Sequence, residues 1–432
     1  MVSLTENLVA PVEQLTDRSE LKQQVQLVVS TAPVIDVHTH LFPPEFDGLF
    51  LQGIDDLLNY HYLVAEFFRS TNLSPAAFWK LTKTQRADLV WQSMFVDNTP
   101  LSEAACGIVC ILEAFGLDVR APDLTEARAF FSSQELHEHF DRVLELANVS
   151  DVVMTNDPFS EREINLWNRG QQLDPRFHAS LRLDRLVNDW PESMSTSALS
   201  DFDLDANLSD SSIRELRRFL DKCVARMEPL YMGLSLPPEF IFPANDVRDR
   251  LLREVVMPAA REHALPLAVM LGVRRGVNPA LRTAGDGVGR ADITAVERMC
   301  ADNPEVRFLV TVLSRENQHE LCVSARKFNN LMPFGCWWFV NNPSIVAEIT
   351  RERLEMLGPS FIPQHSDACV LEHLISKWIQ SRKVIAEALS ERYEQLLQAG
   401  RSVTSAEIRR DVNRMFSGNF REWVGLRAAP RP

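Results

Sequence analysis

The stretch PVIDVHTHLFPP, residues 33–44, decides how the rest of the chain is read. Its β-branched apolar run is too short for a helix of ordinary length and closes on polar residues and prolines, so it reads as a buried strand. In an extended chain alternate side chains share a face, and His38 and His40 therefore point the same way at the strand's C-terminal end. Two imidazoles so placed can chelate one divalent metal.

Seven further runs of the same character follow, at 150–157, 176–186, 227–236, 265–273, 306–314, 330–339 and 360–368. Stretches with helical period, such as SSIRELRRFLDKCVARM and PSIVAEITRERLEMLG, lie between most of them. Eight alternating units predict an α/β chain folded as a (β/α)8 barrel, with a doubly wound open sheet as the alternative from counting alone. In a barrel the C-terminal strand ends carry the active site, which is where His38 and His40 fall.

One spacing breaks the rhythm. Between residue 42 and residue 150 the chain is dense in helical apolar period (LLNYHYLVAEFFRS, LSEAACGIVCILEAFG), which reads as a helical insertion over 43–149 roofing the active site. The expected organisation is an N-terminal helical segment over 1–31, the barrel over 32–42 and 150–370, and C-terminal helices over 371–432 that close the barrel base or make subunit contacts.

The last run, in SFIPQHSDACVLEHL (360–374), ends at Asp367. First and eighth strands are neighbours in a barrel, so Asp367 can complete a two-His, one-Asp set with open positions, the composition of a catalytic metal site. The plain alternative for Asp367 is a helix N-cap. His365 shares its face and is a weaker candidate, equally readable as a core histidine. A second His-x-His pair, His137 and His139, reads as a helix, where i and i+2 diverge; it is set aside as a solvated face.

Composition narrows the function. Of 432 residues 45% are hydrophobic and 24% charged, which excludes a disordered or low-complexity chain. The net charge of −14 argues against a nucleic-acid groove or an anionic membrane surface. Seven scattered cysteines without a CxxC pair fit a reducing, cytoplasmic setting, and neither an export signal nor a membrane span is read from the sequence.

Taken together and in order, IDVHTHLFPPEF (35–46), LLNYHYLVAEFFR (57–69), TNDPF (155–159), SLRLD (180–184), FGCWWF (334–339) and HSDA (365–368) resemble the uronate isomerase family of the amidohydrolase superfamily, in its shorter, divergent bacterial branch. The resemblance implies a (β/α)8 barrel, one divalent metal that is usually zinc, and interconversion of an aldouronate such as D-glucuronate with D-fructuronate, or of galacturonate with tagaturonate. It implies a small sugar acid as ligand and a homo-oligomeric assembly.

By position, His38, His40 and Asp367 resemble the metal ligands, Asp367 also taking protons from substrate hydroxyls. Tyr62, with His61 beside it, resembles the residue that moves the proton between C2 and C1. Arg182 resembles a substrate-binding arginine, and Trp337 and Trp338 resemble pocket walls. Independently of the family, an acidic protein with an anionic substrate must focus positive charge locally, and Arg274, Arg275 and Arg315 offer it at strand ends.

Two positions depart from the family. Where an arginine follows the last strand's aspartate by two residues, this chain has Cys369, and where many members carry a histidine on strand five it has Met270. A thiol cannot make a bidentate contact with a carboxylate, so another arginine takes that task, the ligand differs, or turnover is lost. A metal-dependent hydrolase or decarboxylase and an inactive binding homologue remain the other readings. The absence of a lysine or paired histidines on strands four to six counts against hydrolysis.

Overall fold

The computed structural model describes residues 14–170 and 172–426; residues 1–13 of the expected N-terminal segment and 427–432 of the C-terminal one lie outside them. The first of the eight runs forms the strand Val34–Thr39, which pairs in parallel with Val149–Met154, itself in parallel with Phe177–His178. A second parallel sheet has the order Leu331–Pro333, Phe308–Val312, Leu267–Leu271, Met232–Leu236, Leu181–Arg182. Every residue of the strands Val34–Thr39, Met232–Leu236, Leu267–Leu271 and Phe308–Val312 is buried. That is why none of them shows the polar–apolar alternation of a half-exposed strand.

Two runs differ from their expected form. The third, 176–186, is two short strands offset from each other, so that Phe177–His178 stays with one sheet and Leu181–Arg182 pairs with Met232–Gly233 of the other. The eighth, 360–368, makes only a single bridge, Ile362 to Phe334. Pro363 has no amide hydrogen to give a ladder, and Asp367 takes φ +54°, which turns the chain out of an extended path. What pairing remains on its other side is local: the Asp367 N–H donates to the His38 carbonyl at 3.2 Å, and the His40 N–H to the Ala368 carbonyl at 2.7 Å.

The segment 43–149 runs through the helices His61–Phe67, Lys83–Trp91, Glu103–Ala114 and Leu136–Ala147. The 26-residue helix His373–Gln398 packs against Arg18–Thr31, Glu103–Ala114, Leu136–Ala147 and Pro343–Leu357, and so ties the insertion to the sheets. Asp36 fastens the same joint from inside the strand: its Oδ1 accepts the Ser366 N–H at 3.0 Å and its Oδ2 the Trp378 Nε1–H at 2.8 Å. No described helix is long and apolar enough to cross a membrane.

Candidate active site

Strand alternation puts His38 and His40 on one face, and the backbone bonds just described lay Asp367 beside them. Asp367 Oδ1 lies 3.5 Å from His38 Nε2 and 3.4 Å from His40 Nε2. His38 and Asp367 are buried, and His40 is half-buried at the cavity surface. Burial opposes ionisation of Asp367, but the two imidazoles beside it more than offset this and hold its carboxyl well below the usual range.

The tautomer of His38 follows from its other nitrogen. Tyr231 gives its only hydroxyl proton to the Val37 carbonyl at 2.9 Å, so at 3.3 Å it can only accept from His38 Nδ1. His38 Nε2 is then a lone pair facing a carboxylate oxygen, and among the described residues neither His38 Nε2 nor Asp367 Oδ1 has a hydrogen-bond partner. Two buried acceptors turned toward each other need a cation between them. His38, His40 and Asp367 therefore fit one divalent metal, with all donor atoms within 4.8 Å of one another.

His365 is not in this set. Its ring is fully buried, T-shaped to His38 at 5.1 Å, and burial beside His38 lowers its pKa to about 3. The ring lies so close to Gly335, whose φ is +66°, that any Cβ there would overlap it, so glycine is required twice over.

A cavity of about 490 Å³ opens above the triad. Of the residues singled out in the sequence, His61, Arg182, Trp337, Trp338, Arg275 and Cys369 line it. His61 Nε2 and Trp338 Nε1 are buried there without partners, and burial takes the His61 pKa down to about 4, so this imidazole is neutral. Arg182 is paired with Asp184. Arg275 bonds Asp286 at 2.6 Å and lies over the Trp338 ring at 5.9 Å. Burial pushes the Cys369 thiol up, so it lines the wall uncharged.

Three expectations need correction. Arg315 does not reach the cavity: it is solvent-exposed and bonds Glu348 at 3.0 Å on the neighbouring helix. Arg274, too, is exposed and does not line it. His139 is not on a solvated face; it is buried and bonds Glu372 at 2.8 Å, although His137 is exposed as read.

Tyr62 is not among the lining residues; the phenol at the wall is Tyr60. Tyr62 stands behind it, ring centroids 4.9 Å apart, packed against the interior cluster that holds Trp337 and Trp338. Burial raises the pKa of both phenols, and a hydrogen bond from Tyr60 partly offsets this in Tyr62. The sequence also gave no weight to Arg162, which lines the cavity over Gly48.

No protein-family model and no curated protein sequence matches the chain at a significant level. Among solved structures it is similar to a uronate isomerase from Bacillus halodurans C-125, with 50% identity and a TM-score of 0.93 over 95% of this chain and 97% of that one. A uronate isomerase from Thermotoga maritima matches at 13% identity, covering 98% of this chain and all of that one with a TM-score of 0.72. A glucuronate isomerase from Caulobacter crescentus matches at 15% identity, with TM-score 0.71 over 100% of this chain and 99% of that one; these two establish the shared fold alone. With half of its residues identical across nearly the whole of both chains, this protein belongs to the uronate isomerase family.

Proposed function

We propose that the protein is an aldose–ketose isomerase of sugar acids that interconverts D-glucuronate and D-fructuronate. The observation that carries this reading is the His38–His40–Asp367 triangle beneath a cavity walled by arginine, tryptophan and tyrosine, in a chain of this family. The eight apolar segments are proposed to form one (β/α)8 barrel, with 43–149 over its mouth and the C-terminal helices along its side. The Asn156–Leu181 and Phe334–Ile362 bridges support it by joining neighbouring segments. So do the bonds from Asp367 and His40 between the eighth segment and the first.

A divalent metal, proposed to be zinc, would be held by His38, His40 and Asp367 and would supply positive charge to an oxyanion developing on the substrate. Asp367, ionised and buried, is placed to accept a hydroxyl proton. Tyr60 lines the cavity with Tyr62 behind it, and the transfer between C2 and C1 is assigned to Tyr62 acting through the Tyr60 hydroxyl. The deprotonated pair takes the proton from C2 and gives it back at C1, which restores its charge; burial, which raises both pKa values, makes it a strong base for the first step. Neutral His61, beside both tyrosines, orients them through ring contacts at 4.2 and 4.6 Å. Arg182 and Arg275 receive the carboxylate, and the tryptophan faces exclude water from the enediol.

The test is proton NMR of glucuronate and galacturonate incubated with the protein in D2O. Deuterium entering at C1 or C2 with appearance of the keto sugar is the expected result. Unchanged spectra from metal-loaded protein would overturn the reading.

A further inference from the structure

Behind the tyrosine wall the packing of helices encloses an ion pair. Lys377, on the long helix His373–Gln398, gives its Nζ to Glu103 Oε1 at 2.7 Å, and the two side chains are only 9% and 17% exposed. Glu103 opens the helix Glu103–Ala114, where Gly107, one turn on, faces Ser376: a Cβ there would stand 3.3 Å from the Ser376 Oγ, so its absence lets the two helices close on the pair. The same ammonium lies over the Tyr62 ring, 5.4 Å from its centroid. Apolar side chains of like volume would pack such a place as well or better, because desolvating two charges costs as much as their attraction returns. The charge therefore points to a use other than packing.

The other titratable groups around Tyr62 bring no positive charge. Tyr60 and His61 touch it, with ring centroids 4.9 and 4.6 Å away. Burial takes the pKa of His61 down to about 4 and that of His373, packed on Tyr60 at 4.5 Å, down to about 3, so both imidazoles are neutral. The remaining groups are acidic: Glu66, one turn along the helix of Tyr62, Glu103, Asp367 and the Cys369 thiol. Burial first, then the charges of Asp367 and Glu103, oppose ionisation of Tyr62. Of these groups only Lys377 is a cation. A negative charge on the phenols would otherwise stand buried with nothing to balance it.

We propose that Lys377, held in place by Glu103, is a positioning residue that balances the negative charge which the Tyr60–Tyr62 pair carries as the base of the isomerisation. It touches no substrate, being behind the wall, and acts through Tyr62. Glu103 tempers it: the carboxylate fixes the ammonium over the ring and offsets part of its field. The proposal rests on the isomerase reading, and within it on the assignment of the proton transfer to the two tyrosines.

The experiment is fluorine NMR of the full-length, metal-loaded protein made with 3-fluorotyrosine, whose phenol ionises at lower pH than that of tyrosine. The chain has four tyrosines, so four resonances are expected, and Tyr62→Phe assigns the one in question. Lys377→Met should move the Tyr62 midpoint up by about one unit or more, the effect of removing an opposite charge at this distance. Glu103→Gln should move it down, since the ammonium is then unopposed. The pH profile of kcat/KM for glucuronate should be displaced in the same two directions. A pair that served packing alone would give shifts of one sign in both variants or none in either, and each of these results overturns the proposal. Should Lys377→Met not fold, the downward shift in Glu103→Gln decides by itself. The titration is read without turnover, so opposite shifts in a protein that leaves glucuronate unchanged would strike the isomerase reading alone.

Discussion

Glu372 Oε1 accepts from His139 Nε2 at 2.8 Å and from the Gly53 N–H at 3.0 Å, with the His139 and Glu372 side chains almost wholly buried. This carboxylate joins the insertion to the start of the long helix, five residues after Asp367. Removing one partner of a buried pair leaves the other uncompensated, at a cost of about 3–5 kcal/mol. Glu372→Ala is therefore expected to lower unfolding free energy by that order in urea titrations, and Glu372→Gln, which keeps an acceptor, by clearly less. Equal losses for the two variants would mean the packing, not the bond, matters there.

One divalent ion per chain is expected by elemental analysis. Chelated protein should gain thermal stability on zinc addition, by about 2.7 kcal/mol when free metal is a hundredfold above its dissociation constant. His40→Ala and Asp367→Asn should abolish that gain. A gain that survives in both variants would place the metal elsewhere.

For the tyrosines, Tyr62→Phe should lower kcat by about a hundredfold or more with KM little changed, the pattern of a lost acid–base group. Tyr60→Phe should cost as much or more, because the transfer passes through the phenol at the wall. A loss confined to Tyr60→Phe would assign the transfer to Tyr60 alone.

Cys369→Arg places a guanidinium at the cavity wall facing Tyr60. If the site has room for the family's mode of carboxylate binding, kcat/KM for glucuronate rises by about tenfold, the worth of a charge-assisted bond. A wild-type value or a fall on both glucuronate and galacturonate would show that the carboxylate is already held on the arginine side.

Glu163 is buried beneath Asn156 and Asp157, accepting the Asp157 N–H at 3.0 Å, and burial pushes its pKa up to about 7. Between the unfolded value near 4.5 and about 7 the folded state binds the extra proton, so stability falls as pH rises through this window and then levels. Glu163→Gln keeps the accepting oxygen and removes the ionisation. Its stability, relative to wild type, should improve from pH 4.5 to pH 7 by up to about 3 kcal/mol. Parallel pH profiles for the two proteins, from denaturation at several pH values, would refute the assignment.

Much of this was legible in the residues. The apolar runs located the strands because a strand buried on both faces has no polar alternation to hide it, and the two-residue period put His38 and His40 together without further information. The 107 residues of helical pattern between the first two runs marked the insertion. The eighth run was legible as apolar, and Pro363 alone argues against a full ladder; the left-handed turn at Asp367 was not legible, since it is held against His38, distant in sequence.

Sequence by itself thus determined the element types, the order of the segments and the identity of the three groups that fit a metal, because these depend on local period and on which residue ends a strand. Only the tertiary structure decided which long side chains reach the cavity. Arg275 and Arg315 look alike in the sequence, yet one crosses Trp338 and the other turns outward to Glu348. His139 finds Glu372 across 233 residues of chain, and Tyr60 rather than Tyr62 meets the cavity wall. Periodicity fixes the face on which a side chain leaves the backbone; where a flexible chain of several bonds ends, and what it meets there, is fixed by the elements packed against it.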